Sequence, residues 1–271
     1  MQLFVQNQAA SFCIVIYTDN TVFFSEILKR FPDHKLVEID TAKLKQWRGA
    51  QSFVHRVKIE ILLDFFSSHT GQVLYMDTDT YCRSSLIPLF ESISETNFIM
   101  HEFEGKLGSK KNIVFKKWLH FLKWYNRGYA EEVSNPAEIE MWNAGVIGVN
   151  ETSVPLLRKV LDLTDDIYRQ FPNHITEQFS FSYVLKLSGN LQAADKIIYH
   201  YWDLKEFREI LPQLYNKFSI TSPGEQNLLL QRFLPENILK EKINRKKVPF
   251  YKKWFEKKWN ISSYKKMLEE N

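Results

Sequence analysis

The sequence predicts an α/β protein: a largely parallel sheet flanked by helices, with a helical extension at the C-terminus. Three observations predict it. Short apolar runs alternate with longer amphipathic ones, the rhythm of strand and helix taking turns around a sheet. The apolar runs are bounded by turn and capping residues rather than by further apolar sequence. No internal repeat, low-complexity linker or Gly-x-Gly-x-x-Gly loop divides the chain, so residues 1–203 read as one domain and residues 204–271 as the extension.

The first strand is expected at residues 12–17 and stops at Thr18-Asp19-Asn20, a turn that also caps a helix over 21–30. A second strand, 35–39, follows Pro32-Asp33. Across 52–66, Val54, Val57, Ile61 and Phe65 recur three and four apart, which predicts a helix that buries this face and exposes its charges opposite. Gly71 breaks the chain before the strand Val73-Leu74-Tyr75-Met76, which runs directly into Asp77-Thr78-Asp79-Thr80. Further on come a strand at 97–101, a helix at 113–125, a strand at 145–149 entered from Trp142-Asn143-Ala144, helices at 154–170 and 176–187, and a strand at 196–199 ending in His200-Tyr201-Trp202.

Composition bounds the function. With 271 residues, 44 % hydrophobic and 25 % charged, the chain can bury a sizeable core and is unlike a disordered protein. Aromatic residues reach 15 %, which suits core packing and also a pocket that stacks on bases or sugars. The net charge of +4 is uneven: residues 240–271 hold eleven Lys or Arg against four Glu, which leaves the body at −3. The body is therefore no nucleic-acid binder. Two cysteines, Cys13 and Cys82, are too few for a disulfide framework and fit a reducing compartment. The N-terminus has no basic n-region, and no apolar stretch approaches the ~20 residues of a membrane span, so a cytoplasmic location is expected.

Asp77 and Asp79 are the sharpest signal. In an extended chain, residues two apart point to the same side, so both carboxylates can face one cation. Ligands of open α/β sheets bind beyond the carboxyl ends of strands, where this pair lies. The pair could instead cap a turn or the helix beginning near Ser84. Two acids with no nearby lysine in the sequence would repel each other unless something positive sits between them. Hard cations such as Mn²⁺ or Mg²⁺ take oxygen ligands and complete their shell from substrate phosphates, which neutralises a departing diphosphate.

The segment from Val73 to Asp79 resembles the strand and Asp-x-Asp signature of glycosyltransferases with the GT-A (Rossmann-like) fold. The run Trp142-Asn143-Ala144-Gly145-Val146-Ile147-Gly148-Val149-Asn150 resembles the Asn-(Ser/Ala)-Gly-Val segment of the glycogenin and galactosyltransferase group, family 8, and Glu177-Gln178 stands where that group has Asp-Gln. The chain departs from the group in having Glu177, and in Tyr199-His200-Tyr201-Trp202 where the group has a longer His-containing motif ending in Lys-Pro-Trp. The resemblance spans roughly residues 13–202.

It implies transfer of a sugar from a nucleoside-diphosphate sugar, UDP by default, to a hydroxyl of a saccharide, a lipid-linked acceptor or a protein. Asp77, Asp79 and His200 would hold Mn²⁺ or Mg²⁺, imidazole favouring Mn²⁺. Tyr17, Thr18 and Asp19 would cradle the nucleotide, Arg56 or Lys58 would meet the diphosphate beside Thr78, and Asn143, Ala144 and Gly145 would lie under the sugar. Glu177 would be the carboxylate nearest the anomeric carbon, as general base or as electrostatic support, with Gln178 beside it. Plainer roles stay open: Tyr17 as a core-packing aromatic, one of Arg56 and Lys58 on a solvated face, His200 as a half-buried neighbour of tyrosines, Asn143 to Gly145 as an ordinary turn, and Glu177 as a helix N-terminal acid.

In the tail, Tyr251, Trp254, Phe255 and Trp259 share a helical face opposite lysines, so residues 250–259 could touch the inner membrane surface or pack on the body. Two other functions compete. A haloacid dehalogenase-type phosphatase also puts Asp-x-Asp after a strand, but needs Thr or Val where Tyr81 stands. A binding module would keep the fold without turnover. A sugar nucleotidyltransferase lacks its Gly-rich loop here.

Overall fold

The computed structural model describes residues 12–29, 33–109, 112–125, 135–247 and 260–270. The chain divides into two compact units, a larger one ending at His200 and a smaller one running from Tyr201 onward. The aromatic-basic face expected at residues 250–259 lies outside the described residues.

The larger unit begins with β1 (Ile14–Thr18), α1 (Thr21–Leu28), β2 (His34–Glu38) and α2 (Thr41–Trp47). The side chain of Asn20 accepts from the amide of Phe23 and that of Asp40 from Lys43, so both helices start at capped ends. β1 and β2 pair in parallel. α3 (Val57–Ser68) follows, entered through a short 3-10 turn. It does not bury the expected face: Val54 is 57 % exposed, whereas Lys58, Ile59 and Leu62 are buried. The window contains a second apolar stripe, Ile59, Leu62, Leu63 and Phe66, at equally good helical spacing, and this one faces the core, carrying Lys58 inward with it.

Gly71, at φ +96, turns the chain into β3 (Gln72–Met76). Then come β4 (Thr80–Cys82), α4 (Ile87–Ser92), β5 (Asn97–Met100), β6 (Phe103–Lys106), α5 (Ile113–Trp124), β7 (Glu140–Trp142), β8 (Val146–Asn150), α6 (Val154–Gln170), α7 (Thr176–Ser188), β9 (Asn190–Ala193) and β10 (Ile198–His200). The principal sheet has the order β3-β8-β5-β9. β8 runs antiparallel to both β3 and β5, and β5 pairs with β9 in parallel. β4 with β10 and β6 with β7 are further antiparallel pairs.

The expectation of a mostly parallel, Rossmann-like sheet is thus overturned: helices flank a mixed sheet whose described pairings are mostly antiparallel. The physical reason is that a continuous apolar run reports burial on both faces and carries no sign of strand direction. Only three residues separate β7 from β8, so β8 enters the sheet without a helical crossover, and no neighbouring strands of the principal sheet are consecutive in the chain; β1 and β2 are the parallel pair that a helix, α1, joins.

β8 is the centre of the layer. Val146, Ile147 and Val149 are buried outright, and Gly148, opposite Ile99, lets the two strands approach: a Cβ there would meet Ile99 at 2.6 Å. Aromatic residues fill the helix layer. Trp118 of α5 stacks on Phe179 of α7 at 4.5 Å and meets Phe171 edge-on, and Phe121 stacks on Phe171. Leu157, Val160, Leu163 and Ile167 form the buried stripe of α6, entered through an Asn150/Ser153 capping box.

The smaller unit contains α8 (Leu211–Ile220), α9 (Pro223–Arg232), α10 (Pro235–Lys247) and α11 (Ser262–Glu270). A Ser222/Glu225 capping box opens α9, Lys242 pairs with Glu206 at 2.7 Å, and Tyr264 donates to Glu241. Among the described residues no helix is long and apolar enough to cross a membrane.

Candidate metal centre

β3 delivers Asp77 and Asp79 at its carboxyl end, and the short β4 follows at once. The turn is pinned: the amide of Asp77 donates to Gly145 O at 2.8 Å, and the Thr80 hydroxyl donates to Asp77 O at 2.7 Å. β10 then brings the third group. His200 lies opposite Thr80 in the β4–β10 ladder, which sets its ring beside the preceding residue, Asp79, with Nε2 3.0 Å from Oδ1. One ligand atom each from Asp77, Asp79 and His200 falls within 4.8 Å of the others, and all three residues are half-buried. Two carboxylates and an imidazole converging at this spacing make a candidate divalent-cation site.

His200 is held from behind. Its Nδ1 lies 3.0 Å from Asn143 Oδ1, which also accepts from the amide of Gly145 at 2.9 Å. Asn143 Nδ2 donates to Glu104 at 3.0 Å, so its amide orientation is specified from both ends. Asn143 Oδ1 can only accept, so Nδ1 is the donor, and in the neutral ring Nε2 would offer its lone pair to a cation placed between it and Asp79. Gly145 supplies the space: a Cβ at that position would lie 2.3 Å from both Cε1 and Nδ1 of the ring. His101, buried beside it, meets the ring edge-on and donates to Ile198 O. Burial and then the neighbouring His200 push the His101 imidazole down to about 4, so it stays neutral at physiological pH.

Asp77 is more heavily engaged. Tyr75, two residues back on the same face of the strand, donates to its Oδ1 at 2.8 Å. Lys58 donates to its Oδ2 at 3.1 Å and to Ala144 O at 3.0 Å, and approaches Glu177 Oε1 to 3.5 Å. Burial lowers the Lys58 pKa, but the charges of Asp77 and Glu177 outweigh it, and the ammonium is held above its usual value. Burial, then the Asp77 charge, raises the Tyr75 phenol well above its usual range. A positive group beside the acidic pair therefore comes from Lys58, 19 residues upstream, which was expected to meet a diphosphate and in the structure bonds Asp77 itself.

Glu177 is buried in the first turn of α7. Its Oε2 accepts no hydrogen bond from any described residue, although it sits among charged neighbours, with His55 Nδ1 3.9 Å from Oε1. Gln178 donates to Glu104 at 2.8 Å, so Glu104 bridges Asn143 and Gln178. Thr78 is exposed between the two acids.

The structure brings together Lys58, Asp77, Asp79, Asn143, Ala144, Gly145, Glu177 and His200 in one network, with Gln178 joined through Glu104. Tyr17, Thr18 and Asp19 have other partners. Tyr17 donates to Asp64, which also holds Lys43, and its ring tilts against Trp47; Thr18 is buried and accepts from the Asn20 amide; Asp19 is exposed. Arg56 is committed to Asp165 (2.7 and 3.1 Å), Glu60 (2.6 Å) and Trp47 O (2.7 Å), a structural tie between helices. Sequence inspection misses Tyr75 and Glu104. Tyr75 was legible from strand parity with Asp77, whereas Glu104 lies in a four-residue strand without any motif.

No family model matches the chain, and no curated protein matches it. Solved structures do. One is a galactosyltransferase, LgtC, in complex with donor and acceptor sugar analogues, at 15 % identity and a TM-score of 0.37, covering 60 % of this chain and 54 % of that one. Another is mouse xyloside xylosyltransferase 1 in its apo form, at 11 % identity and a TM-score of 0.40, covering 66 % of this chain and 69 % of that one. The chain spans about half the length of the galactosyltransferase that it matches. Likeness at this level is distant, and the chemistry rests on the residues of the site itself.

Proposed function

We propose that the chain is a metal-dependent glycosyltransferase that takes a sugar from a nucleoside-diphosphate sugar, UDP-linked by preference, and passes it to a hydroxyl acceptor. One observation carries the proposal: a three-ligand O, O, N cluster lies beside a buried carboxylate oxygen, Glu177 Oε2, that accepts no hydrogen bond from a described residue. Buried acceptors are almost always paired, and a substrate hydroxyl is the donor this oxygen lacks. The donor set fits the cation. Carboxylates suit Mg²⁺ and Mn²⁺, the imidazole shifts the choice to Mn²⁺, and Gly145 leaves room for the ring. When bound, the cation neutralises the charge of the departing diphosphate.

The remaining steps belong to side chains. Glu177 receives the acceptor's hydroxyl proton at Oε2, giving inversion, or supports positive charge at the anomeric carbon, giving retention. Glu104 and Gln178 form the polar wall next to it. Asn143 and Gly145 act through His200, which they orient. Tyr17, Thr18 and Asp19 would take the nucleotide at the end of β1. The paucity of cysteine supports a cytoplasmic location.

A panel of nucleotide-sugars incubated with Mn²⁺ tests the reading. At least one should hydrolyse slowly, and Asp79→Asn should reduce that rate by about 100-fold or more, the scale of losing a key electrostatic group. Binding without turnover across the panel would instead mark a nucleotide-sugar-binding module.

A further inference from the structure

We propose that Lys58 is an internal counter-ion that occupies Asp77 in place of the metal, so that the site discriminates against a free divalent cation and loads it together with a diphosphate. The inference rests on the proposed function above and adds a regulation of the same site.

Four observations lead to it. Lys58 is buried, its charge does not reach bulk water, and it is shared among Asp77 Oδ2, Ala144 O and Glu177 Oε1. The other oxygen of Asp77 already accepts from Tyr75, so both oxygens of this ligand carry a donor before any cation arrives. Asp79 and His200 face each other at 3.0 Å, a contact that must open for a cation to enter, whereas Asp77 is held directly by the Lys58 ammonium. Glu177 Oε2 has spare accepting capacity within the same buried cluster.

A dication entering between Asp77, Asp79 and His200 meets the ammonium across one carboxylate. The two positive charges repel each other strongly in a partly buried site. A diphosphate would change the balance, because its negative charge would satisfy both the dication and the ammonium. Lys58 then keeps its bonds to Glu177 and Ala144 O while releasing Asp77 to the cation. The order follows from charge alone: weak binding of metal by itself, and mutually reinforced binding of metal and diphosphate.

The test is calorimetric titration with Mn²⁺ alone and with UDP in the presence of Mn²⁺. Lys58→Met should bind Mn²⁺ alone at least about tenfold more tightly than the native chain, since a repelling charge is removed. The same variant should bind UDP in the presence of Mn²⁺ at least about tenfold more weakly, since a phosphate-facing cation is lost. Lys58→Arg should restore both affinities toward the native values. Should Lys58→Met not fold, because Glu177 is left buried without a partner, Lys58→Met with Glu177→Gln keeps the net charge of the cluster and should still tighten Mn²⁺ binding. Unchanged or weaker Mn²⁺ affinity in the folded variants overturns the counter-ion role. The underlying reading fails separately, if Asp79→Asn leaves Mn²⁺ affinity untouched.

Discussion

Gly145→Ala should lower Mn²⁺ affinity by about 10- to 100-fold, the range typical for disturbing the groups that orient a metal ligand. The methyl group would sit 2.3 Å from two atoms of the His200 ring, a separation no contact tolerates. The ring cannot swing aside at low cost, because Asn143 holds Nδ1 and Asp79 faces Nε2. It must tilt, and the shared position of Asp77, Asp79 and His200 is lost. Overpacking costs about 1–3 kcal/mol of stability, so the variant should still fold. A double-mutant cycle identifies the route. If the methyl acts through the imidazole, Gly145→Ala adds nothing to His200→Ala; additive losses would show that Gly145 contacts substrate instead.

Glu177→Gln should reduce transfer by about 100- to 10,000-fold, the usual contribution of a general base or of comparable charge stabilisation. The amide is isosteric, and it removes the charge facing Lys58 and the acceptor capacity of the unpaired oxygen. Nucleoside-diphosphate binding should persist, because the variant retains Asp77, Asp79 and His200, which Glu177 meets through Lys58. Native-like turnover by this variant would assign Glu177 a packing role in α7.

Parts of this molecule were legible in the sequence for definite reasons. An Asp-x-Asp directly after an apolar strand marks the pair, and the structure keeps Asp77 and Asp79 within reach of one cation, through the turn that follows β3 rather than through the alternation of an extended strand. His200 at the end of an apolar run meets them because β10 pairs with β4. The stripe Leu157, Val160, Leu163 and Ile167 marks a helix by spacing, and α6 is that helix. Other parts depend on tertiary contacts that periodicity does not encode. The apolar run of β8 announces burial and hides direction, so the sheet is mixed where a parallel one was expected. Two stripes compete in α3, and the one chosen by the core turns Lys58 inward to Asp77. Arg56, two residues earlier in the chain, is drawn instead to Asp165, 109 residues away. Asn143 and Gly145 were expected to lie under a sugar; their contacts in the structure are with the histidine of the metal cluster.

The most direct test of the metal centre is an anomalous difference map from crystals soaked in Mn²⁺ and UDP. One strong peak should lie within bonding distance of Asp79 and of His200 Nε2, with Asp77 on its remaining side and the His200–Asp79 contact opened to admit it. A map without a peak there, with Asp79 still against His200 and Asp77 still against Lys58, would contradict the assignment of these three residues as metal ligands.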